Sequence, residues 1–232
     1  MISPQTPLIV YHGTNLFSAK VIQQYGIGLS VQRPLTDYGR GFYVTLHRKQ
    51  AKDWARVRAL HPQGHPHMLK QLGITRREFL QHPDAYTPAY LMFYLDIHRL
   101  LTLRGKVFPL PGDPKWPMVH RRWASFVARC RVGIQHPYDF VYGPVAGWHP
   151  LIPGRIRWAF RKDQLSLNSP RALRCLSGGA VVAFSWSKRA AGWNPAASDL
   201  APRSLIPADD PVGVDVVEEG MGFPYQGRVC EW

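Results

Sequence analysis

Cysteine is scarce in these 232 residues: Cys130, Cys175 and Cys230 make an odd, widely spaced set with no CxxC pair. That pattern offers neither a zinc nor a redox signature, so reduced thiols are expected. Acidic residues are scarce as well, with 15 Asp and Glu against 29 Lys and Arg, a formal net charge of +14. Glycine-rich phosphate loops are missing: neither GxGxxG nor GxxxxGK[ST] occurs, which sets aside dinucleotide-binding Rossmann and P-loop readings. No apolar run reaches the length of a membrane-spanning helix, and the opening MISPQTPLIV has no basic stretch ahead of an apolar one. The expected compartment is therefore the cytoplasm, with no membrane partner.

What is present is the composition of a folded protein, 45% hydrophobic and 12% aromatic with eight Trp. The length suits one sizeable core with an extension. A domain over 1–187 is expected, followed by a Pro-rich extension over 188–232 that carries Pro195, Pro202, Pro207 and Pro211. The excess positive charge favours polyanions and makes nucleic acid the leading partner class; an acidic protein or an anionic surface fits the same charge.

Hydrophobic periodicity predicts a strand over 8–11 that ends at His12-Gly13-Thr14, then a helix over Leu16–Tyr25 stopped by Gly26. A strand over 41–45 leads into a helix over 49–60 with Ala51, Trp54, Ala55 and Arg58 at helical spacing. Residues 61–68, broken by Pro62, Gly64 and Pro66, read as a loop. Thr75 and Glu78 have capping-box spacing. A strand buried on both faces is expected over 90–97, and a helix over Trp116–Arg131 with Val119, Trp123, Phe126, Val127 and Cys130 on a core-facing stripe. Further strands are expected over 138–142, stopped by Gly143-Pro144, over 164–167, and over 180–186; Ser169 and Pro170 open a helix. Strands outnumber long helices, which favours an α+β domain with a mixed or antiparallel sheet core.

Two segments carry chemistry. Tyr11-His12-Gly13-Thr14 sets an imidazole at a strand end beside a glycine that would let a ligand approach the backbone, although a histidine satisfied by a neighbouring carbonyl has the same signature. Residues 33–45 join a polar loop to an aromatic strand end. Arg33 or Arg40 offers a guanidinium fork matched to phosphate, and Tyr43 offers a ring for stacking, against the plainer reading of a loop with a core tyrosine. His61, His65 and His67 lack a neighbouring carboxylate or Cys ligand, and a metal site is not expected there. Arg121, Arg122, Arg129 and Arg131, with Arg155, Arg157, Arg161 and Lys162, form basic clusters interleaved with Trp123, Trp148 and Trp158, a composition suited to single-stranded nucleic acid.

Taken in order, YHGTN (11–15), DYGRGFYVT (37–45), QAKDWA (50–55), YDFVYGPVAG (138–147) and DQLSLNSPRALRCL (163–176) resemble the ADP-ribosyltransferase superfamily, and more closely a bacterial family of unknown function within it. The resemblance spans residues 8–177. It implies a split, strongly bent sheet pair with NAD in the cleft between the halves. By that likeness His12 would bond the adenosine-side ribose and the nicotinamide amide, with Gly13 and Thr14 beside it. Tyr43 would stack on nicotinamide, and the loop carrying Arg33 and Arg40 would lie near the pyrophosphate or the acceptor. Gln164 matches the position usually held by a catalytic glutamate; its amide can hold a ribose hydroxyl but supplies neither negative charge nor a general base. Asp163 should point to the opposite face of the strand. The acidic residues common after GPVA are replaced by Gly147-Trp148-His149. Asp139, Glu218 and Glu219 are conceivable substitutes, with Asp139 better read as a structural acceptor.

The resulting expectation is an NAD-dependent ADP-ribosyltransferase acting on RNA or DNA, a bacterial toxin by the habit of such families, with an antitoxin protein as partner. The alternatives are a protein or water acceptor, and a catalytically inactive nucleic-acid-binding module.

Overall fold

A computed structural model of the chain describes residues 8–148 and 155–186. Two sheets make its frame. The first holds β1 (Leu8–Asn15), β3 (Pro88–Leu95) and β7 (Leu176–Ala183), in the order β1-β3-β7 and antiparallel throughout. The second holds β2 (Phe42–Val44), β4 (Gly105–Val107), β5 (Phe140–Trp148) and β6 (Ile156–Leu167), in the order β2-β6-β5-β4, with β4 parallel to β5. The helices are α1 (Leu16–Tyr25), α2 (Arg48–Leu60), α3 (Pro66–Gln71), α4 (Arg76–Gln81), α5 (Ile97–Leu101), α6 (Trp116–Arg131) and α7 (Pro170–Leu173). The α+β expectation holds.

Strand alternation decides which face each residue serves. Val10, Leu91, Phe93 and Leu95 of the first sheet meet Phe42, Val44, Leu165 and Leu167 of the second in one buried cluster, so the sheets share a core. The outer face of the first sheet is covered by α2, whose Ala51 and Ala55 pack with Tyr90, Val182 and Phe184. Small residues there allow a close approach, and Gly13 completes it: a side chain at that position would collide with the Ala51 carbonyl. The outer face of the second sheet is covered by α6 through Trp116, Trp123 and Val127 against Val141, Phe108 and Tyr38.

Local signals placed most helices. Asn15 caps α1 at the amide of Ser18, and Gly26, at φ 87°, ends it. Thr75 and Glu78 form the reciprocal capping box of α4, and Ser169 with Pro170 opens α7.

Several boundaries differ from expectation. The first strand does not end at His12 but pairs with β3 as far as Asn15↔Pro88, so His12 lies inside a strand. Pro66 opens α3 rather than prolonging a loop, because proline is favoured in a first helical turn and His65 caps it. Gly143-Pro144 does not stop β5; the ladder continues to Trp148 with a register irregularity between Pro144 and Ala146, where a bulge absorbs the missing proline amide. The last strand spans Leu176–Ala183 rather than 180–186. β3 stops at Leu95, because Asp96 caps α5 at the amide of Arg99. The extension 188–232 lies outside the described residues, as do His149, Glu218, Glu219, Cys230 and the side chains of Trp148 and Arg161.

Candidate active site

Beside the shared core, β1 and β2 touch through one antiparallel bridge, Tyr11↔Thr45, with both N–H···O bonds at 2.9 Å. In a continuing ladder Gly13 would next pair with Tyr43. Instead the strands part, and the Tyr43 carbonyl is taken by the imidazole Nδ1 of His12 at 2.7 Å. A carbonyl can only accept, so Nδ1 carries the proton and Nε2 is left with its lone pair. The ring lies stacked on Phe42, 4.3 Å between centroids. Burial lowers its pKa to about 4, and the charge of Arg58 pushes the same way, against the bond to Tyr43. Near neutral pH this is an uncharged imidazole of fixed tautomer.

Tyr43 is anchored at its far end. Its hydroxyl accepts from the Tyr38 amide at 2.9 Å, donates to the Gly39 carbonyl at 2.8 Å and meets Thr36 Oγ1 at 2.8 Å. Burial raises its pKa well above the ordinary phenol value. The hydroxyl is thereby committed to the 36–39 loop, and what Tyr43 presents to a neighbour is a ring that cannot swing.

Gln164 belongs to a clamp that local sequence does not reveal. Its Nε2 donates to Asp37 Oδ2 at 2.6 Å and to the Pro144 carbonyl at 3.2 Å. Both partners are acceptors, which fixes the amide orientation, uses both N–H bonds and leaves Oε1 as the group Gln164 can still offer. The other Asp37 oxygen accepts from Arg131 Nε at 3.0 Å and Nη2 at 2.6 Å, and the Ala146 amide donates to Oδ2 at 2.8 Å. Arg131 also donates to the Ala146 carbonyl. By sequence Asp37 is one polar loop residue among several, and Arg131 falls within a basic cluster at the end of a helix. In the structure Arg131 is instead turned inward, neutralises Asp37 and ties α6 to β5. Asp163 behaves as strand alternation requires: it is buried on the opposite face, accepting from Thr45 Oγ1 at 2.5 Å and from the Tyr142 hydroxyl at 3.3 Å.

These groups line one cavity of about 1050 Å³. His12, Gly13, Thr14, Arg33, Tyr43 and Gln164 all contribute to its wall; Arg40 is exposed and does not. Gly13 lines it too, but its missing side chain makes room for α2 rather than for a ligand. Two further wall residues come from α2. Trp54 is 38% exposed, and Arg58 stands one turn beyond it on the same helix face. Arg58 has no hydrogen-bond or ion-pair partner among the described residues, and burial together with the charge of Arg33 lowers its pKa to about 10. Arg33 is held by the neutral amide of Gln63, so its charge is not cancelled. Asp37 is the one carboxylate among the lining residues and is already engaged by Arg131. The wall around Arg33 and Arg58 is therefore electropositive.

A second, shallower groove of about 430 Å³ lies where α6 meets the edge strand β4. Lys106, Arg121, Arg122 and Arg129 line it with Phe108, Phe126 and Tyr138, and no acidic residue is among them. Of the tryptophans expected beside these charges, Trp123 is 1% exposed and belongs to the core, whereas Trp158 is 41% exposed and packs edge-on to Trp116. Asp139 is structural, accepting from the Arg104 amide. His65 and His67 serve local helix bonding in and around α3.

Comparison with family models, with curated proteins and with solved structures returns no match for this chain. The chemistry of the site has to be read from its own groups. Among the described residues no helix is long and apolar enough to cross a membrane, and no group of three or more His, Cys, Asp or Glu is placed to hold a metal ion.

Proposed function

We propose that this chain is an NAD-dependent ADP-ribosyltransferase with a nucleic-acid acceptor. The observation that carries the proposal is the convergence of His12, Tyr43 and Gln164, far apart in sequence, on one cavity, each with one end immobilised and the other available. Two sheets that share a core but join beside the cavity through a single bridge support the split, bent arrangement that the motif resemblance implies.

The groups present suit NAD by their chemistry. His12 Nε2 is an acceptor for a ribose hydroxyl, Tyr43 supplies a flat wall for nicotinamide, and Gln164 Oε1 is a second hydroxyl acceptor. NAD supplies a glycosidic bond to a stable leaving group: nicotinamide departs with the bonding electrons, and the acceptor forms a new bond to the ribose carbon and loses a proton. The chain's part is to orient that ribose and to shield it from water. Asp37 lies behind Gln164 with its oxygens already bonded, so it polarises the amide without taking the proton; the acceptor's proton would leave to solvent or to the acceptor's own groups. The basic groove along α6 supports a nucleic-acid acceptor, since its cations have no carboxylate among them and its walls are aromatic. A toxin role with an antitoxin partner belongs to the same proposal.

The saturation of Asp37 and the neutral Gln164 favour one rival, an inactive nucleic-acid-binding module. The test is to incubate purified protein with labelled NAD and, separately, RNA, single-stranded DNA, duplex DNA or a protein mixture, following label transfer and free nicotinamide. Label on nucleic acid is the expected result, abolished by His12→Ala. Label on protein, or nicotinamide release alone, would reassign the acceptor. Salt-sensitive nucleic-acid binding with neither transfer nor release would establish the inactive module.

A further inference from the structure

The cavity holds an unfavourable arrangement that the fold does not require. Placing a guanidinium in a partly desolvated wall with no carboxylate to meet it is destabilising, and placing a second guanidinium within its field makes it worse. Arg58 is in that position: unpartnered among the described residues, facing the cavity from α2, and repelled by Arg33 from the opposing loop. Other charged groups nearby find local solutions. Arg56 pairs with Asp53 at 3.1 Å and Arg131 with Asp37 at 2.6 Å. Nothing in the packing demands an arginine at 58, because the buried side of α2 is made by Ala51, Ala55 and Ala59. Uncompensated charge kept at a cavity wall is characteristic of a ligand site, where stability is given up for binding.

The geometry points to the Arg33–Arg58 corner as a clasp for the diphosphate of a nucleotide, with the Trp54 ring on the same face of α2 as the platform for its base. Two forks on separate elements suit two phosphate groups bridged by an anhydride oxygen, and each can donate paired N–H bonds. An indole four residues from the arginine, partly exposed within the same cavity, suits a flat heteroaromatic ring. This deepens the NAD reading and rests on it only for the identity of the full ligand: the clasp itself recognises a nucleoside diphosphate.

The test uses the full chain with ADP, inorganic pyrophosphate and adenosine as probes, and NAD in parallel, for the wild type, Arg58→Met and Arg33→Gln. Wild-type protein should bind ADP and pyrophosphate in calorimetry. Arg58→Met should weaken both by about tenfold to a hundredfold while adenosine affinity changes by less than about twofold. Arg33→Gln, on an exposed loop where folding is not at stake, should weaken both in the same direction. In the absence of ligand Arg58→Met should melt at a higher temperature than the wild type, because an uncompensated, part-buried charge is gone; a structural arginine would show the reverse. Wild-type protein that ignores ADP and pyrophosphate, or Arg58→Met protein that binds them undiminished, overturns the clasp. Arg58-dependent binding of ADP by a protein that neither binds nor cleaves NAD upholds the clasp and removes the transferase reading, so the two failures are distinguishable.

Discussion

His12 shows how much one residue's surroundings can dictate. In an unfolded chain its imidazole titrates near its ordinary value of 6.5, whereas in the fold it resists protonation down to about 4. Between those values the unfolded state binds the additional proton, so stability is complete above the upper limit and declines as pH falls through the window. The shift corresponds to about 3 kcal/mol. Urea unfolding at pH 7 and pH 4 should show the wild type losing about that much more than His12→Asn; equal losses would mean that the ring is not held neutral. The tetrapeptide and the motifs downstream singled out the histidine, and the structure sets it in the cavity wall. Asp37 and Arg131 were not legible as partners, because 94 positions separate them and neither has a local pattern that announces the other. Arg58 was visible as a helix position, but its meaning depends on the absence of a counter-charge, which only the packed wall discloses.

At the scale of elements, what could be read was what neighbouring residues decide among themselves. The capping pair Thr75 and Glu78, the stop at Gly26, the Ser169-Pro170 start and the stripe of α6 all rest on side chain to backbone bonds or spacing within a few residues. What escaped was decided across the fold. Pro144 looks like a strand terminator in isolation, yet its carbonyl is held by the Tyr38 hydroxyl and by Gln164, partners 106 and 20 positions away, at the point where the β5–β6 register shifts and pairing resumes beyond it. Three-residue β4 exists because β5 offers it a parallel edge. Gly13 marks the tightest such dependence, since the first sheet and α2 touch backbone to backbone there. Gly13→Ala should therefore destabilise by about 3 kcal/mol, with α2 displaced. A denaturation midpoint unchanged from wild type would show that α2 does not approach as closely as described.

Across the whole molecule the charge is unevenly balanced. Asp37, Asp53 and Asp84 each meet a nearby cation, whereas the groove on α6 gathers Lys106, Arg121, Arg122 and Arg129 without an acid. If single-stranded RNA follows that groove, replacing Arg121, Arg122 and Arg129 by Gln should reduce the slope of log affinity against log salt by about 0.7 for each phosphate no longer neutralised, about 2 in all. An unaltered slope would move the nucleic-acid path elsewhere. The Asp37 clamp has a consequence of another kind, in the order of synthesis. His12, Arg33, Tyr43 and Arg58 leave the ribosome early, but the groups that lock the opposite wall, Arg131, Ala146 and Gln164, are translated roughly a hundred residues later. A nascent chain therefore has only one wall of the cavity until most of it has been made, and any ligand of this cavity meets its complete lining only after the second sheet is translated.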